Sequence, residues 1–594
     1  MKKRIADIVA SFLVQKGIKD IFTVTGGGAM FLNDGVASNQ NLNYICNHHE
    51  QACAMSAVGY SKYKNDLSAV MVTSGCGATN AITGLLDAWG DNTPVIFISG
   101  QIKRKETTRN SKTNLRQFGV QEADIISIVQ SITKYSVMIN EPEDIIFHLE
   151  KAIYLALNGR PGPVWIDIPL DVQGFSLDEE NLRHFDPPSQ DIVEEIKGLD
   201  KFIEYYKQSK RPVVLAGNGV RLSDSIGLLK RFIGTNNLPC VVTYLGVDYF
   251  EQDDINYVGR IGIKGDRAGN FAIQNSDFII CLGSRLSITQ TGFEYDLFGR
   301  EATILVVDID KDEHQKNTVR IDEFINADIG FFLENIINKV LPKPRDLWHS
   351  KCLKWKNKWP VYQGDYDSNN VNMYEFTNTL SELLGENSTV VSDAGSNFYV
   401  VAQSLLINHF NQRYFTSGAQ GDMGFSLPAA IGICVASKDS VIAITGDGSF
   451  QMNIQELQTI KHHNLPIKIM IMNNKGYLSI RGTQNKFFDS RRIGSDYDSG
   501  ISFPSTEKIA AAYEISFLKI NNSNELSKKL KNATKLKGPV ICEVICSESQ
   551  EILPTVSAVK NDDGSMTSKP IEDMYPYLSR EEFYNEMIIN PLQE

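Results

Sequence analysis

The chain has 594 residues, 42% of them hydrophobic and 22% charged, which is the make-up of a soluble globular protein too long for one core; three domains of ordinary size are expected. A net charge of −12 with no long Lys/Arg run argues against a nucleic-acid partner. No apolar run approaches the ~20 residues that span a bilayer, and nine scattered cysteines without a C-x-x-C pair predict a cytoplasmic protein lacking a disulfide framework or zinc site.

The N-terminus, MKKRIADIVASFLVQKGIKDIF, has the apolar content of a signal peptide. Its apolar positions fall at helical spacing and are broken by Asp7, Gln15 and Lys16, so an amphipathic helix is predicted. A first domain over 1–180 includes LSAVMVTSGCGATNAITGLLDAWGDNTPVIFISG, which reads as strand, Gly-rich turn, helix and strand, and closes at GRPGPVWIDIPLDVQ. An acidic stretch with Pro187 and Pro188 follows. A second domain over 190–345 carries the buried-type strands of RPVVLAGNGV, SDFIICLGSRL and ATILVVDID, and ends at the Pro-, Lys- and Trp-rich LPKPRDLWHSKCLKWKNKWP. A third domain spans 365–550; Cys542 and Cys546, in PVICEVIC, are expected in its core. The polar tail, 551–594, is expected to be a lid or a strap. The fold class is α/β: three doubly wound domains with parallel sheets and right-handed crossovers.

The third domain holds SVIAITGDGSFQMNIQELQTIKHHNLPIKIMIMNNKGYLSIRG, Ser440–Gly482. SVIAI and LPIKIMIM read as parallel strands around a helix marked by Phe450, Ile454 and Leu457. Gly446-Asp447-Gly448 and Asn473-Asn474 then emerge together at the carboxyl edge of the sheet, where open α/β sheets bind ligands. The helix after Gly448 points free N–H groups at that edge, favouring phosphate. One carboxylate, one carboxamide and a nearby backbone carbonyl are hard oxygen ligands suited to Mg²⁺ shared with phosphate oxygens. An ordinary pair of turns and a generic nucleotide site remain alternatives on these residues alone.

The G-D-G…N-N pattern resembles the thiamine diphosphate-binding motif, and other segments agree. NHHEQACAMSAVGYSK resembles the helix of that superfamily that carries the cofactor-activating glutamate. SGCGATNAITGLLDAW resembles its S-G-P-G-A-T-N segment, with Cys76 in place of Pro. FGVQEADIISIVQSITKYS resembles the F-Q-E…I-T-K run of acetolactate synthases, and TSGAQGDMGFSLPAAIG the segment beside the thiamine. The resemblance spans about residues 5–550 in the family's order and implies thiamine diphosphate and Mg²⁺ as cofactors. It implies that Glu50 hydrogen-bonds the aminopyrimidine ring. A lone helix glutamate is ordinarily solvated; here Ala52, Ala54, Met55 and Ala57 make an apolar neighbourhood. Asp447 and Asn474 match the side-chain metal ligands, and Gly476 the backbone-carbonyl ligand. Gly446, Gly448 and Ser449 belong to the diphosphate-binding turn. Met423 matches the residue that props the cofactor into its bent shape, Gly421 its backbone partner, and Gln121 a glutamine near the reaction centre. The resemblance also implies a homodimer or homotetramer with the active site shared between subunits, acting on a 2-keto acid and a carbonyl acceptor.

In acetolactate synthases the middle domain holds FAD. GSRLSITQTG, Gly283–Gly292, resembles their G-x-R-F-D-D-R-V-T-G. Arg285 thereby matches a flavin-contacting arginine; VVDID, with Asp308, ends a strand with acids, as at an adenosine ribose, and NADIG around Asp328 resembles a further flavin segment. Two departures bear on substrate. The arginine that recognises the acceptor's carboxylate is replaced by Thr289, preceded by Ile288 rather than Asp, and the channel tryptophan falls near Thr483. A threonine cannot pair a buried carboxylate, so the acceptor is not expected to be pyruvate or 2-ketobutyrate, unless Arg481 compensates or meets a phosphate instead. The tail also resembles those of acetolactate synthase-like proteins linked to surface-sugar synthesis, some of which acylate a nucleotide-bound keto-sugar. Three readings stay open: a carboligase using pyruvate as donor, including acetolactate synthase proper; a 2-keto acid decarboxylase, C–C lyase or hydrolase on the same cofactor; and a non-catalytic regulatory relative.

Overall fold

A computed structural model describes residues 2–189, 195–340, 343, 345–364, 366–560 and 563–592. The expected domain starts at Gln190 and Asp365, and Leu341, Pro342 and Pro344 of the second linker, lie outside the described residues.

Three six-stranded sheets follow one another along the chain, and every strand pair in them is parallel. Their central strands are uninterrupted apolar runs of the sequence, while outer ones such as Asn43–Cys46 and Ser516–Ile520 are mixed. Ser68–Val72 and Val95–Gln101 are buried at every position, as a sheet covered by helices on both faces requires. The first sheet takes Asp20–Thr23, Asn43–Cys46, Ser68–Val72, Val95–Gln101, Tyr135–Met138 and Val164–Pro169. Numbered in chain order, these lie side by side as two-one-three-four-six-five. The third sheet takes Thr389–Ser392, Arg413–Phe415, Val441–Gly446, Ile467–Asn473, Ser516–Ile520 and Val540–Ile545, and repeats that order. The middle sheet differs. Pro212–Ala216, Cys240–Val242, Tyr257–Arg260, Phe278–Leu282, Thr303–Asp308 and Glu323–Asn326 lie three-two-one-four-five-six, the order of dinucleotide-binding sheets.

The N-terminal helix forms over Ile5–Gln15 as its periodicity predicts, preceded by Lys2–Arg4, which pairs antiparallel with Ser176–Asp178. Among the described residues no helix is long and apolar enough to cross a membrane. All nine cysteines are free, and Cys542 and Cys546 are buried.

The first and third sheets share one core across the helices Glu50–Lys64 and Ser426–Ser437. The second helix is apolar all round and buried from Ser426 to Ala436, as a helix between two sheets must be. The pair crosses at backbone contact: a Cβ on Gly59 would lie 2.4 Å from the Ala429 carbonyl oxygen, and one on Gly432 1.8 Å from that of Ser56. The tail straps the middle domain. Val556, Ile571, Met574 and Phe583 join the cluster of Phe271, Trp348 and Trp355, and Glu586 accepts from Trp355 Nε1 at 2.9 Å.

Candidate active site

Strand Val441–Gly446 runs directly into helix Asp447–Met452, and its neighbour Ile467–Asn473 pairs in register so that Gly446 stands opposite Met472. Asp447 and Asn474 therefore leave the sheet at one edge, and both are buried. Asp447 accepts the N–H of Gly448 at 2.8 Å and of Gly476 at 3.1 Å. Burial pushes its carboxyl up to about 6, against the pull of those N–H groups and of the Arg481 guanidinium. Asn474 Oδ1 is buried with no hydrogen-bond partner. An orphaned amide oxygen beside a desolvated carboxylate fits a hard divalent cation, which would satisfy the first and stabilise the charge on the second. Among the described residues no group of three His, Cys, Asp or Glu could hold a metal, so a cation here draws on amide and backbone oxygens as well as Asp447. Gly476, at φ +152°, admits no side chain: a Cβ would lie 2.1 Å from the Ser495 carbonyl oxygen.

Ser449 donates to Asp393 Oδ2 at 2.6 Å and accepts the Gly424 N–H at 2.7 Å. Asp393 also accepts from Thr445 at 2.7 Å and Ser426 at 3.2 Å, and burial raises its carboxyl to about 6. One buried carboxylate thus ties the Gly446–Gly448 turn to the loop of Gly421 and Met423. Sequence reasoning missed it; its only local signal is an acid directly after a short apolar run, in VVSDAG.

Glu50 opens helix Glu50–Lys64, is 8% exposed, and accepts from Asn80 Nδ2 at 2.9 Å. The segment before it is held from the third domain, where Glu456 accepts from Asn47 Nδ2 at 2.8 Å and the His48 N–H at 2.9 Å. Asn80 and Glu456 were not singled out from sequence. Gln121 is exposed at φ +59°, its carbonyl oxygen 2.2 Å from where a Gly75 Cβ would stand. Its loop is pinned by buried Glu122, which accepts from Phe118 N–H at 2.8 Å and Thr108 Oγ1 at 2.6 Å. Gln121 thus lies over the Gly-rich turn that leads to Asn80 and Glu50. Asp447, Asn474 and Gly476 form a second group on the other outer domain.

A cavity of about 570 Å³ opens where the strand order of the middle sheet reverses, walled also by Asn92 of the first domain and Gly418 of the third, and Arg285, Asp308 and Asp328 all line it. The loops after strands Pro212–Ala216 and Phe278–Leu282 meet beneath it. Gly219 N–H donates to the Gly283 carbonyl at 2.9 Å, and a Gly219 Cβ would lie 2.6 Å from Gly283 Cα. Asp328 caps helix Ile329–Ile336 through the Phe331 N–H at 3.1 Å while facing the cavity. Asp308 accepts the Asp310 N–H at 2.9 Å. Arg160, on the rim, is paired with Asp310 and Glu313 at 2.8 Å each. Size, place in the topology and an acid at a strand end fit a dinucleotide. Thr289 lines the same cavity, its hydroxyl 2.9 Å from that of Ser287, and Ile288 is 45% exposed.

Comparison with known proteins places the chain's three domains in one family. Residues 3–127 match the thiamine pyrophosphate enzyme N-terminal TPP binding domain, 199–336 the central domain, and 393–544 the C-terminal TPP binding domain. The acetolactate synthase large subunit of Lactococcus lactis subsp. lactis is 32% identical over 561 residues, covering 93% of this chain and 94% of that protein. A probable acetolactate synthase large subunit of Methanocaldococcus jannaschii is 32% identical, with 93% of each chain covered. The chloroplastic acetolactate synthase of Arabidopsis thaliana is 29% identical, over 93% of this chain and 82% of that one. The chain belongs to the thiamine pyrophosphate (thiamine diphosphate) enzymes and carries all three of their domains in order.

Proposed function

We propose that the protein is a thiamine diphosphate-dependent carboligase of the acetolactate synthase type. It decarboxylates a 2-keto acid, with pyruvate as the expected donor, and transfers the two-carbon unit to an acceptor carbonyl. The observation that carries this reading is the buried, unpartnered Asn474 Oδ1 beside Asp447 at the sheet edge. Asp447, Asn474 and the Gly476 carbonyl would hold Mg²⁺, and Gly446, Gly448 and Ser449 would receive the diphosphate. Gly421 and Met423, on the loop tied through Asp393, would seat the thiamine. The cofactor, when bound, supplies the carbanion chemistry. Glu50, oriented by Asn80, would hold the proton exchanged with the aminopyrimidine nitrogen, and Gln121 would stand beside the reacting carbonyl. Arg285, Asp308 and Asp328 would hold FAD in the middle domain; because decarboxylation and ligation are together redox-neutral, the flavin would serve as a structural ligand.

The acceptor follows from Thr289 and Thr483. Without an arginine fork at Thr289, a carboxylate beside the acceptor carbonyl has no fixed partner there, so a ketone lacking that carboxylate, such as a keto-sugar, is favoured. With ¹³C-pyruvate alone the enzyme is expected to form little acetolactate, and Thr289→Arg to shift product toward it. Efficient acetolactate formation by the unmodified enzyme overturns this acceptor assignment. Free acetaldehyde as sole product, whatever the acceptor, makes the protein a decarboxylase, and failure to bind cofactor makes it a non-catalytic relative.

Glu50 and Asp447 sit on different domains, and the loops on Glu50's side of the first domain expose apolar side chains, with Phe118 54% and Val120 82% exposed. Such a surface suits a second copy bringing its third domain to Glu50. Light scattering is expected to give two or four chains per particle; an active monomer overturns the shared site.

A further inference from the structure

The loop Ile261–Asp266 of the middle domain is held on every side. Asn270 brackets Gly262, accepting its N–H at 2.9 Å and donating to its carbonyl at 3.0 Å. Ile263 N–H donates to the Thr289 carbonyl at 2.9 Å, and its own carbonyl accepts Val556 N–H of the tail at 2.8 Å. The Gly265 carbonyl accepts Gln403 Nε2 of the third domain at 3.2 Å. The residue presented by this clamp is Lys264. Its ammonium makes no hydrogen bond or ion pair among the described residues, and stands 5.9 Å from the ring centre of Tyr399, on helix Gly395–Ser404. Lys486 approaches it from helix Leu478–Phe487, one turn after Thr483, and donates to Ser557 of the tail at 2.8 Å. Tyr244 lies against the loop's backbone. Lys264 thus follows the residue bonded to the Thr289 backbone, and Lys486 stands one turn after Thr483, so the pair neighbours the two positions that depart from the acetolactate synthase pattern.

A half-buried ammonium without a partner is unfavourable by itself, because burial disfavours its charge, and the exposed ammonium of Lys486 adds like-charge repulsion. Burial, with Lys486 adding, lowers Lys264 to about 8. The arrangement becomes favourable when an anion enters. A carboxylate brings one charge and suits an arginine fork; a phosphate brings up to two and suits point-charge ammonium donors.

We propose that Lys264, backed by Lys486, is the acceptor-recognition cation of this protein, and that the acceptor bears a phosphate group remote from its carbonyl, as sugar phosphates and nucleotide-linked sugars do. This rests on the carboligase reading. It adds that the charge selected has moved from beside the carbonyl, at Thr289, to the place where the middle domain meets Tyr399 and Lys486 of the third.

The test uses the full-length holoenzyme with ¹³C-pyruvate as donor. Fructose 6-phosphate and fructose serve as acceptors that differ only in the phosphate. Lys264→Gln is expected to lower kcat/KM for fructose 6-phosphate by about ten- to a hundredfold, the worth of a hydrogen bond to a charged group, and to change that for fructose far less. Lys264→Arg restores it. Because the lysine is charged below about 8 and neutral above it, the wild-type KM for the phosphate acceptor should climb as pH rises through that value, while the arginine variant, always charged, stays level. A second readout is independent of turnover. Acetylation of Lys264 by acetic anhydride, read by mass spectrometry, is expected to be slowed by fructose 6-phosphate or by UDP-glucose and not by pyruvate; which of the two protects better separates a sugar phosphate from a nucleotide-linked sugar. Equal loss for both acceptors, or equal protection by pyruvate, or no protection by either phosphate, overturns the assignment. If neither sugar yields a labelled adduct and acetaldehyde is the product, the carboligase reading fails, and the footprint still reports whether Lys264 meets phosphate.

Discussion

Glu50→Gln is expected to bind thiamine diphosphate and yet lose about 10²-fold or more of the rate at which solvent deuterium replaces the proton on the cofactor's thiazolium carbon. The side chain is 8% exposed, and its Oε2 accepts from Asn80 Nδ2 at 2.9 Å. Glutamine keeps the volume and can keep that bond by presenting its carbonyl oxygen to Asn80. It cannot hold the proton that a carboxylate takes and returns, so shape survives while acid–base work is lost. Asn80→Ala is a useful companion, because it removes the donor that orients the group without touching the carboxylate. Proton exchange followed by NMR decides the matter, and exchange at the wild-type rate in Glu50→Gln would remove Glu50 from the mechanism.

Asp447→Ala should weaken thiamine diphosphate binding by about tenfold or more in the presence of Mg²⁺. Two losses combine. The charged oxygen ligand disappears from beside Asn474, and the N–H groups of Gly448 and Gly476 lose the acceptor that fixes both loops at the sheet edge. Asp447→Asn separates them, since it keeps an acceptor and removes the charge; a deficit as large as that of alanine assigns the effect to the cation. Calorimetric titration of both variants measures it, and unchanged cofactor affinity in Asp447→Ala would show that this edge does not hold the diphosphate.

The strands of RPVVLAGNGV, SDFIICLGSRL, SVIAI and LPIKIMIM were legible as short apolar runs bounded by Gly, Asp or Asn, and the joint emergence of Asp447 and Asn474 followed from parallel pairing alone; mixed strands such as Arg413–Phe415 and Glu323–Asn326 carry no such signal. The order of strands within each sheet was not legible, since a run of Val and Ile does not name its neighbour. The dinucleotide order of the middle sheet therefore appears only in the structure. The same limit hid Asp393, Asn80 and Glu456. Asp393 has partners at Ser426, Thr445 and Ser449, and Glu456 serves Asn47 and His48 from the opposite end of the chain. A buried polar residue announces itself through its partner, and here the partners are brought together only by the fold. Lys264 lay in a loop with no motif, and the residues that clamp that loop at Ile263 and Gly265, Thr289, Val556 and Gln403, come from three separate segments.

The crossing of Glu50–Lys64 over Ser426–Ser437 bears on how such an enzyme can open. At Gly59 and Gly432 the two helices touch backbone to backbone, with no side chain between them to slide or change rotamer. Close-packed interiors yield little to strain, so the two outer domains of one chain travel as a single body. Breathing motions that admit substrate must then be borne elsewhere, as by the tail strap with the loop it fastens at Ile263. Shortening the tail would accordingly alter the opening before it altered the sheet edge that carries Asp447 and Asn474.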